Sequence, residues 1–347
     1  MKGLKLAVVL IIFSFVWGCV SKYMTSGKVY MQLGEYDKAV EQFKEEIRAS
    51  PDNVSAYVLL GRAYATTSPR QFEKACKSFD KAMEISPSTM DNEFKKQPYY
   101  YWAIYFNAGA SHVKMEGWEM ARKRLVQATK IEPDTATTYK SLAWAYRNLD
   151  QKDSVIATYN KVIELAPQDI NTRVDLARFY MDERNYRDAI PVLQKTVELD
   201  STNSDAFYLL GVSYSFEAAD TTEDVKNEYN TKALKYFKKS TDIDPQNQDA
   251  YYNWGMLLYR QKKYEEAIEP FKKAVELVPD DKEAITFLGA AYLMSKQYEE
   301  TVEAYTKAIE LDPDDPELYI NRASAYWQLK MKDKADADIR RAEELKK

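Results

Sequence analysis

A pattern of small, aromatic and proline residues returns every 34 positions along almost the whole chain. Gly61-Arg62-Ala63-Tyr64 is followed by Ala75, Phe79, Ala82 and Pro87, and Gly289-Ala290-Ala291-Tyr292 by Tyr305, Ala308 and Pro313. Nine such units fit the sequence, at 20–53, 54–89, 102–135, 136–169, 170–203, 204–247, 248–281, 282–315 and 316–347, with 90–101 as an insert. Position 8 is small in all nine: Gly27, Gly61, Gly109, Ala143, Ala177, Gly211, Gly255, Gly289 and Ala323. Position 11 is Tyr in seven, with His112 and Leu258 as exceptions, and position 20 is Ala in seven, with Val155 and Thr301 as exceptions. Position 32 is Pro in seven of the eight units that another unit follows, Ser201 breaking the run. A chain built this way has no single core to collapse around. Each unit can bury its apolar face only against its neighbours.

Within a unit, apolar residues recur at helical spacing in two stretches, which predicts a pair of amphipathic helices. A Gly or Ala at position 8 lets the two helices approach at the short end of the 8–10 Å interaxial range. The bulky residue at position 24 (Phe43, Phe79, Leu125, Tyr159, Leu193, Phe237, Phe271, Tyr305, Ile339) and the Tyr at position 11 fill the space between helices. Proline after the second helix cannot continue it. Acids beside it, such as Asp134 and Asp314, suit the start of the next helix. These residues resemble the tetratricopeptide repeat (TPR) family over the whole of 19–347. The resemblance implies an all-α, right-handed superhelical solenoid of about nine helix-turn-helix repeats, with a concave face lined by the first helices.

The composition leaves little room for catalysis. There is one His, two Cys and only 10 Gly, so a His-based metal site, a disulfide framework and a glycine-rich phosphate loop all lack material. No HExxH, Walker loop, GxSxG or CxxC occurs. His112 stands at a Tyr position and reads as an interhelical residue. The pairs Asp280-Asp281 and Asp314-Asp315, and the stretch Asp200 to Asp205, fall in inter-repeat turns and read as solvated turn acids rather than Ca²⁺ ligands. The repeats account for the chain after the leader, so we expect no enzyme activity, no cofactor and no metal. A regulatory subunit of a cell-wall enzyme and a glycan-binding solenoid that stacks sugars on its 27 tyrosines are the alternatives. The net charge of −5 disfavours nucleic acid.

Residues 1–18 read as a targeting leader. Lys2 and Lys5 precede an apolar run from Leu6 to Trp17, which would make a helix of about 18 Å, against the about 30 Å of a bilayer core. Val16-Trp17-Gly18-Cys19 resembles a bacterial lipobox, with Trp17 where a small or β-branched residue is usual. That resemblance implies cleavage before Cys19, acylation of its thiol and anchoring in a bacterial envelope. With Val20 rather than Asp after the Cys, it favours the outer membrane, facing the periplasm. Cys76 is then a lone thiol, expected to be half-buried and inert.

Carried over from the family, positions 2, 5, 9, 12 and 13 of each first helix face the groove. They select Lys140, Trp144, Arg147, Arg178, Met181, Tyr208, Phe216, Tyr252, Met256, Tyr259, Arg260 and Trp327 as the surface for a protein or peptide partner. Aromatic, Met and Arg side chains are the types that dominate binding hot spots. By sign, Lys28, Arg62, Lys114, Lys140, Arg147 and Arg178 stand against Asp182 in the first five repeats, and Arg260 against Asp205, Asp249, Glu283 and Glu317 in the last four, which predicts a charge-polarised groove. The family's carboxylate clamp for chaperone tails is not matched: position 9 is never Asn and position 2 is never Lys. Two irregular places remain. Residues 90–101 are expected to be an aromatic staple or a docking surface, and Glu217 to Tyr229 an extended helix end or a protruding loop.

Overall fold

The computed structural model describes residues 21–346. The leader and Cys19 lie outside the described residues. Among the described residues the fold is all-α, with 19 α-helices, a single 3-10 turn and no strand. Two compact units divide the chain, one ending at Pro167 and the other starting at Gln168.

In the first unit the helices are α1 (Lys22–Gln32), α2 (Tyr36–Ala49), α3 (Val54–Thr66), α4 (Phe72–Ile85), α5 (Pro87–Lys96), α6 (Pro98–Lys114), α7 (Trp118–Ile131), α8 (Ala136–Asn148) and α9 (Lys152–Leu165). In the second they are α10 (Ile170–Asp182), α11 (Tyr186–Leu199), α12 (Ser204–Glu217), α13 (Glu223–Ile243), α14 (Gln248–Arg260), α15 (Tyr264–Leu277), α16 (Lys282–Met294), α17 (Tyr298–Leu311), α18 (Pro316–Gln328) and α19 (Lys332–Leu345). Within each unit every helix packs on its sequence neighbours, so helix pairs stack one on the next.

The pairing rests on the position-8 and position-24 contact. A Cβ added at Gly255 would lie 2.8 Å from Phe271 Cδ1 and Cε1, and one at Gly211 would lie 2.6 Å from Phe237 Cδ1. At Gly289 the nearest ring atom, Tyr305 Cε2, is 3.1 Å away. Phe43, Phe79, Leu125, Leu193 and Phe271 are completely buried at position 24. Ile339 in α19 is 36% exposed, because no helix packs beyond it among the described residues.

Helix starts follow a rule the sequence reading placed one residue off. Asp134 and Asp314 are exposed turn residues; the residue after them is the cap. The side chains of Asn203, Asn247 and Asp281 accept the backbone N–H three residues on at 2.9–3.0 Å, and Asp315 accepts that of Glu317 at 3.0 Å. These caps satisfy donors that a helix start leaves open. The turn between the helices of a pair takes the left-handed region, at Gly34 (φ 76°) and, without glycine, at Glu116, Asp150, Arg184, Lys262, Lys296 and Lys330.

The insert is not a spacer. Pro87 and Pro98 each occupy the first turn of a helix, where a missing N–H costs nothing. Residues 98–101 therefore belong to α6, and α5 is an extra helix between the second and third repeats. Its role is the staple: Met90, Phe94 and Tyr101 are buried, with Tyr101 edge-on to Phe79 and Phe94 at 5.1 and 5.2 Å. Arg62 closes the same junction, donating to Glu93 Oε2 (2.6 Å) and the Tyr101 hydroxyl (3.0 Å). At the second irregular place, Glu223–Ile243 forms a 21-residue helix, the extended-helix alternative.

A buried ion cluster bolts α4 to α6 and α7. Arg124, only 1% exposed, donates to both carboxylate oxygens of Glu73 (2.9 and 2.8 Å) and to Asp80 Oδ2 (2.6 Å). The Tyr105 hydroxyl donates to Asp80 (3.0 Å), and His112 Nε2 donates to Glu73 (3.1 Å), so His112 is the interhelical residue expected. Cys76 lies fully buried beside this cluster, and burial pushes its thiol well above the usual range.

Two predictions follow from this packing. Replacing Gly255 by Ala should lower unfolding free energy by about 1–2 kcal/mol, since overpacking outweighs the gain in helix propensity. The same change at Gly289, with more room, should stay within about 0.5 kcal/mol of the parent. Denaturant titration measures both, and equal losses would contradict the close-approach account. For the ion cluster, burial alone would raise the Glu73 carboxyl, but the Arg124 hydrogen bonds outweigh it and hold Glu73 below its ordinary 4.5. Its stabilisation is thus full above pH 4.5 and fades as pH falls through the lower folded value. Arg124→Met should cost about 3 kcal/mol at neutral pH, and its deficit against the parent should shrink on acidification. A deficit independent of pH would show that packing alone is lost.

Candidate binding surface

In the second unit the first helices α10, α12, α14, α16 and α18 touch one another in turn. Each second helix instead sits between the first helices of its own and the next repeat. The first helices therefore make a continuous wall, and their outward positions are the candidate surface. In the first unit α6 and α8 make the same kind of contact.

Six of the twelve residues selected from sequence are exposed: Lys140, Trp144, Arg178, Phe216, Arg260 and Trp327. Arg147, Met181, Tyr208, Tyr252, Met256 and Tyr259 are half-buried. Trp144 (47%), Phe216 (50%) and Trp327 (44%) are exposed well beyond what such large side chains usually show, and Met294 joins them at 49%. On α8 the Arg147 guanidinium lies 5.8 Å from the Trp144 ring centroid, a cation–π distance. Phe216 presents one face only, because Tyr186 stacks on the other at 4.5 Å with the rings 4° from parallel.

The half-buried tyrosines are anchored. Tyr252 packs against Phe271 and Phe287 and donates its hydroxyl to Glu283 Oε1 (2.7 Å). Tyr259 is edge-on to Phe287 and Tyr264. Asn253 donates to the Tyr208 hydroxyl at 3.3 Å. Burial, and then Asp249, push the Tyr208 phenol up to about 12, and burial with the Glu283 contact raises Tyr252 as well. Both stay protonated at neutral pH and present rigid, hydrogen-bonding rings.

The expected charge polarity is largely spent inside the protein. Arg178 donates to both oxygens of Asp205 (2.6 and 2.8 Å), so one counted cation and one counted acid neutralise each other. Arg62 is paired with Glu93, and Glu283 with Tyr252. The signal that sequence reading missed is a ladder: position 5 or 9 of one repeat faces position 2 of the next. Asn253 and Tyr186 were missed because they lie off the carried-over positions. Arg260 has no carboxylate within ion-pair distance among the described residues. Among the described residues, no group of three or more His, Cys, Asp or Glu could hold a metal ion, and no helix is long and apolar enough to cross a membrane.

A stack of helix pairs with an exposed aromatic wall is the architecture of a repeat-built binding protein. Family models described as TPR repeat match residues 27–68 and 289–330, and models described as tetratricopeptide repeat match 54–89, 136–169, 172–207, 249–281 and 316–347. Together these matches cover more than half of the chain, which belongs to the tetratricopeptide repeat family.

Among curated relatives, a TPR repeat-containing protein of Methanocaldococcus jannaschii is 24% identical over 43% of this chain and 24% of its own length. BBSome complex member BBS4 of Bos taurus is 25% identical over 71% of this chain and 43% of its own. The chain thus spans less than half the length of these relatives. Among solved structures, the MamA protein is 26% identical with a TM-score of 0.46, covering 53% of this chain and 96% of that one. YrrB, a TPR protein titled as having an unusual peptide-binding site, is 22% identical with a TM-score of 0.45, covering 59% of this chain and 97% of that one.

Proposed function

We propose that this chain is a non-catalytic scaffold that binds a protein or peptide segment along its first helices. Tetratricopeptide repeat proteins mediate protein–protein interactions. The observation that carries the reading here is the large side chains Phe216, Met294 and Trp327 of the second unit, with Trp144 in the first unit by itself, left 44–50% exposed at positions 9, 12 and 13 of first helices. Side chains this large gain little by facing water, and a partner that covered them would bury apolar area. Anchored tyrosines beside them supply hydrogen bonds at little entropic cost, as hot-spot residues do.

The proposal extends to location. The basic start, short apolar run and Cys19 support a lipoprotein held on a bacterial envelope membrane, the outer one facing the periplasm. Two or more acyl chains would give stable anchoring.

A photoreactive residue in place of Tyr252 or Trp144, in the native cell, should crosslink one protein reproducibly. The same residue in place of Lys235, on a second helix, should not. Crosslinking of cell-wall glycan alone, or equal yields from all three sites, would overturn the reading. Mass spectrometry of the mature N-terminus should find an acylated Cys19; an unmodified leader would remove the anchoring.

A further inference from the structure

A cavity of about 630 Å³ lies in the second unit between the α12–α13 connection and the end of α14. That volume falls in the range of small-ligand sites. The long α13 creates it, since no other repeat has ten extra residues at this place. Its lining holds one buried donor and several cations for which no acceptor is described. Asn230 is 9% exposed and makes no side-chain hydrogen bond among the described residues. Gln261 Nε2 is buried with no partner at all. A buried donor left open costs about 1–3 kcal/mol. Around these amides stand Lys226, Arg260, Lys262 and Lys263. Only Lys226 has a carboxylate nearby, Glu223 at 3.9 Å, which is also the one acid described in the lining.

Open amide donors beside cations without counter-ions call for an acceptor-rich, negatively charged guest. Arg260 is shared between this cavity and the candidate binding wall. We propose that the cavity is an anion-binding subsite that takes clustered carboxylates of an acidic peptide segment, the Arg fork and lysines meeting the charges and Asn230 and Gln261 donating to the same oxygens. This differs from a carboxylate clamp on first-helix positions, because most of its groups come from the helix-pair turn of the seventh repeat and from α13. The proposal rests on the groove reading for its peptide source, but its probe is synthetic and does not require the cellular partner.

Fluorescein-labelled hexaglutamate, titrated into the full chain at low salt, should bind saturably, while labelled hexaglutamine should not. Lys226→Glu at a half-buried position and Lys263→Glu at an exposed one should each weaken it about tenfold, equal to about 1.4 kcal/mol, with folding checked by circular dichroism. Lys235→Glu, with the same change in net charge on α13 but off the cavity lining, should leave affinity within about twofold. Asn230→Asp should also weaken binding, with folding checked by circular dichroism. Absence of saturable binding, equal losses from all three Lys reversals, or citrate binding without hexaglutamate would overturn the proposal. Should hexaglutamate bind as expected while the Tyr252 crosslink fails, the groove reading falls and the anion site stands.

Discussion

Everything in this molecule depends on two helices coming close enough for a buried ring to sit against bare backbone. At Gly255 the Phe271 ring occupies the space a Cβ would need, and the same arrangement recurs at Gly211 with Phe237. The contact does two jobs. It sets the spacing within a pair, and it fixes which faces of the helices turn outward. Where the position-24 residue is Tyr159, Leu193 or Ile339, the partner position carries Ala143, Ala177 or Ala323 instead of glycine. Leu125 and Tyr305 face Gly109 and Gly289, so position 8 must be small, but ring size alone does not choose between Gly and Ala.

Because this contact is local in sequence, the fold was readable from it. Recurring Gly, Tyr, Ala and Pro at fixed separations define helix pairs without any knowledge of the tertiary structure. The turn chemistry was read less well. Asp314 was expected to start the next helix, yet Asp315 caps it, since side-chain capping depends on one residue's φ and ψ and not on the local density of acid. Likewise Pro98 could not be told from a spacer proline by composition; its place in the first turn of α6 became clear only once Tyr101 was seen packed on Phe79.

The exposed aromatic surface of the first helices was legible in type, and its charge was not. Exposed Trp144, Phe216 and Trp327 stand where the repeat pattern put them. Counting signs along first helices failed because neighbours in space come from successive repeats. Arg178 and Asp205 are 27 residues apart and lie in one bidentate pair. A charge in a repeat protein has to be weighed against the residue one period away before it counts as available to a partner. Exposed pairs of this kind contribute little to stability, about 0–1 kcal/mol, so their main effect is to remove charge from the surface.

The two irregular places resolve in opposite ways, and that contrast is informative. At the first, Glu93 and Tyr101 of the insert meet Arg62 of the preceding repeat, and Met90, Phe94 and Tyr101 are buried. The insert is consumed in closing a junction. At the second, the longer α13 leaves Asn230, Gln261, Arg260 and Lys263 without acceptors among the described residues. Stacking explains the buried part of the first insert, Met90, Phe94 and Tyr101, while Tyr99 stays 72% exposed. Stacking gives no reason for the second, because a helix extension that served only packing would bring apolar residues to its cavity, as α5 brings Met90 and Phe94 to its junction. The buried Gln261 amide, open to no partner and set in a cavity ringed by cations, is the physical mark on which the proposed anion site rests.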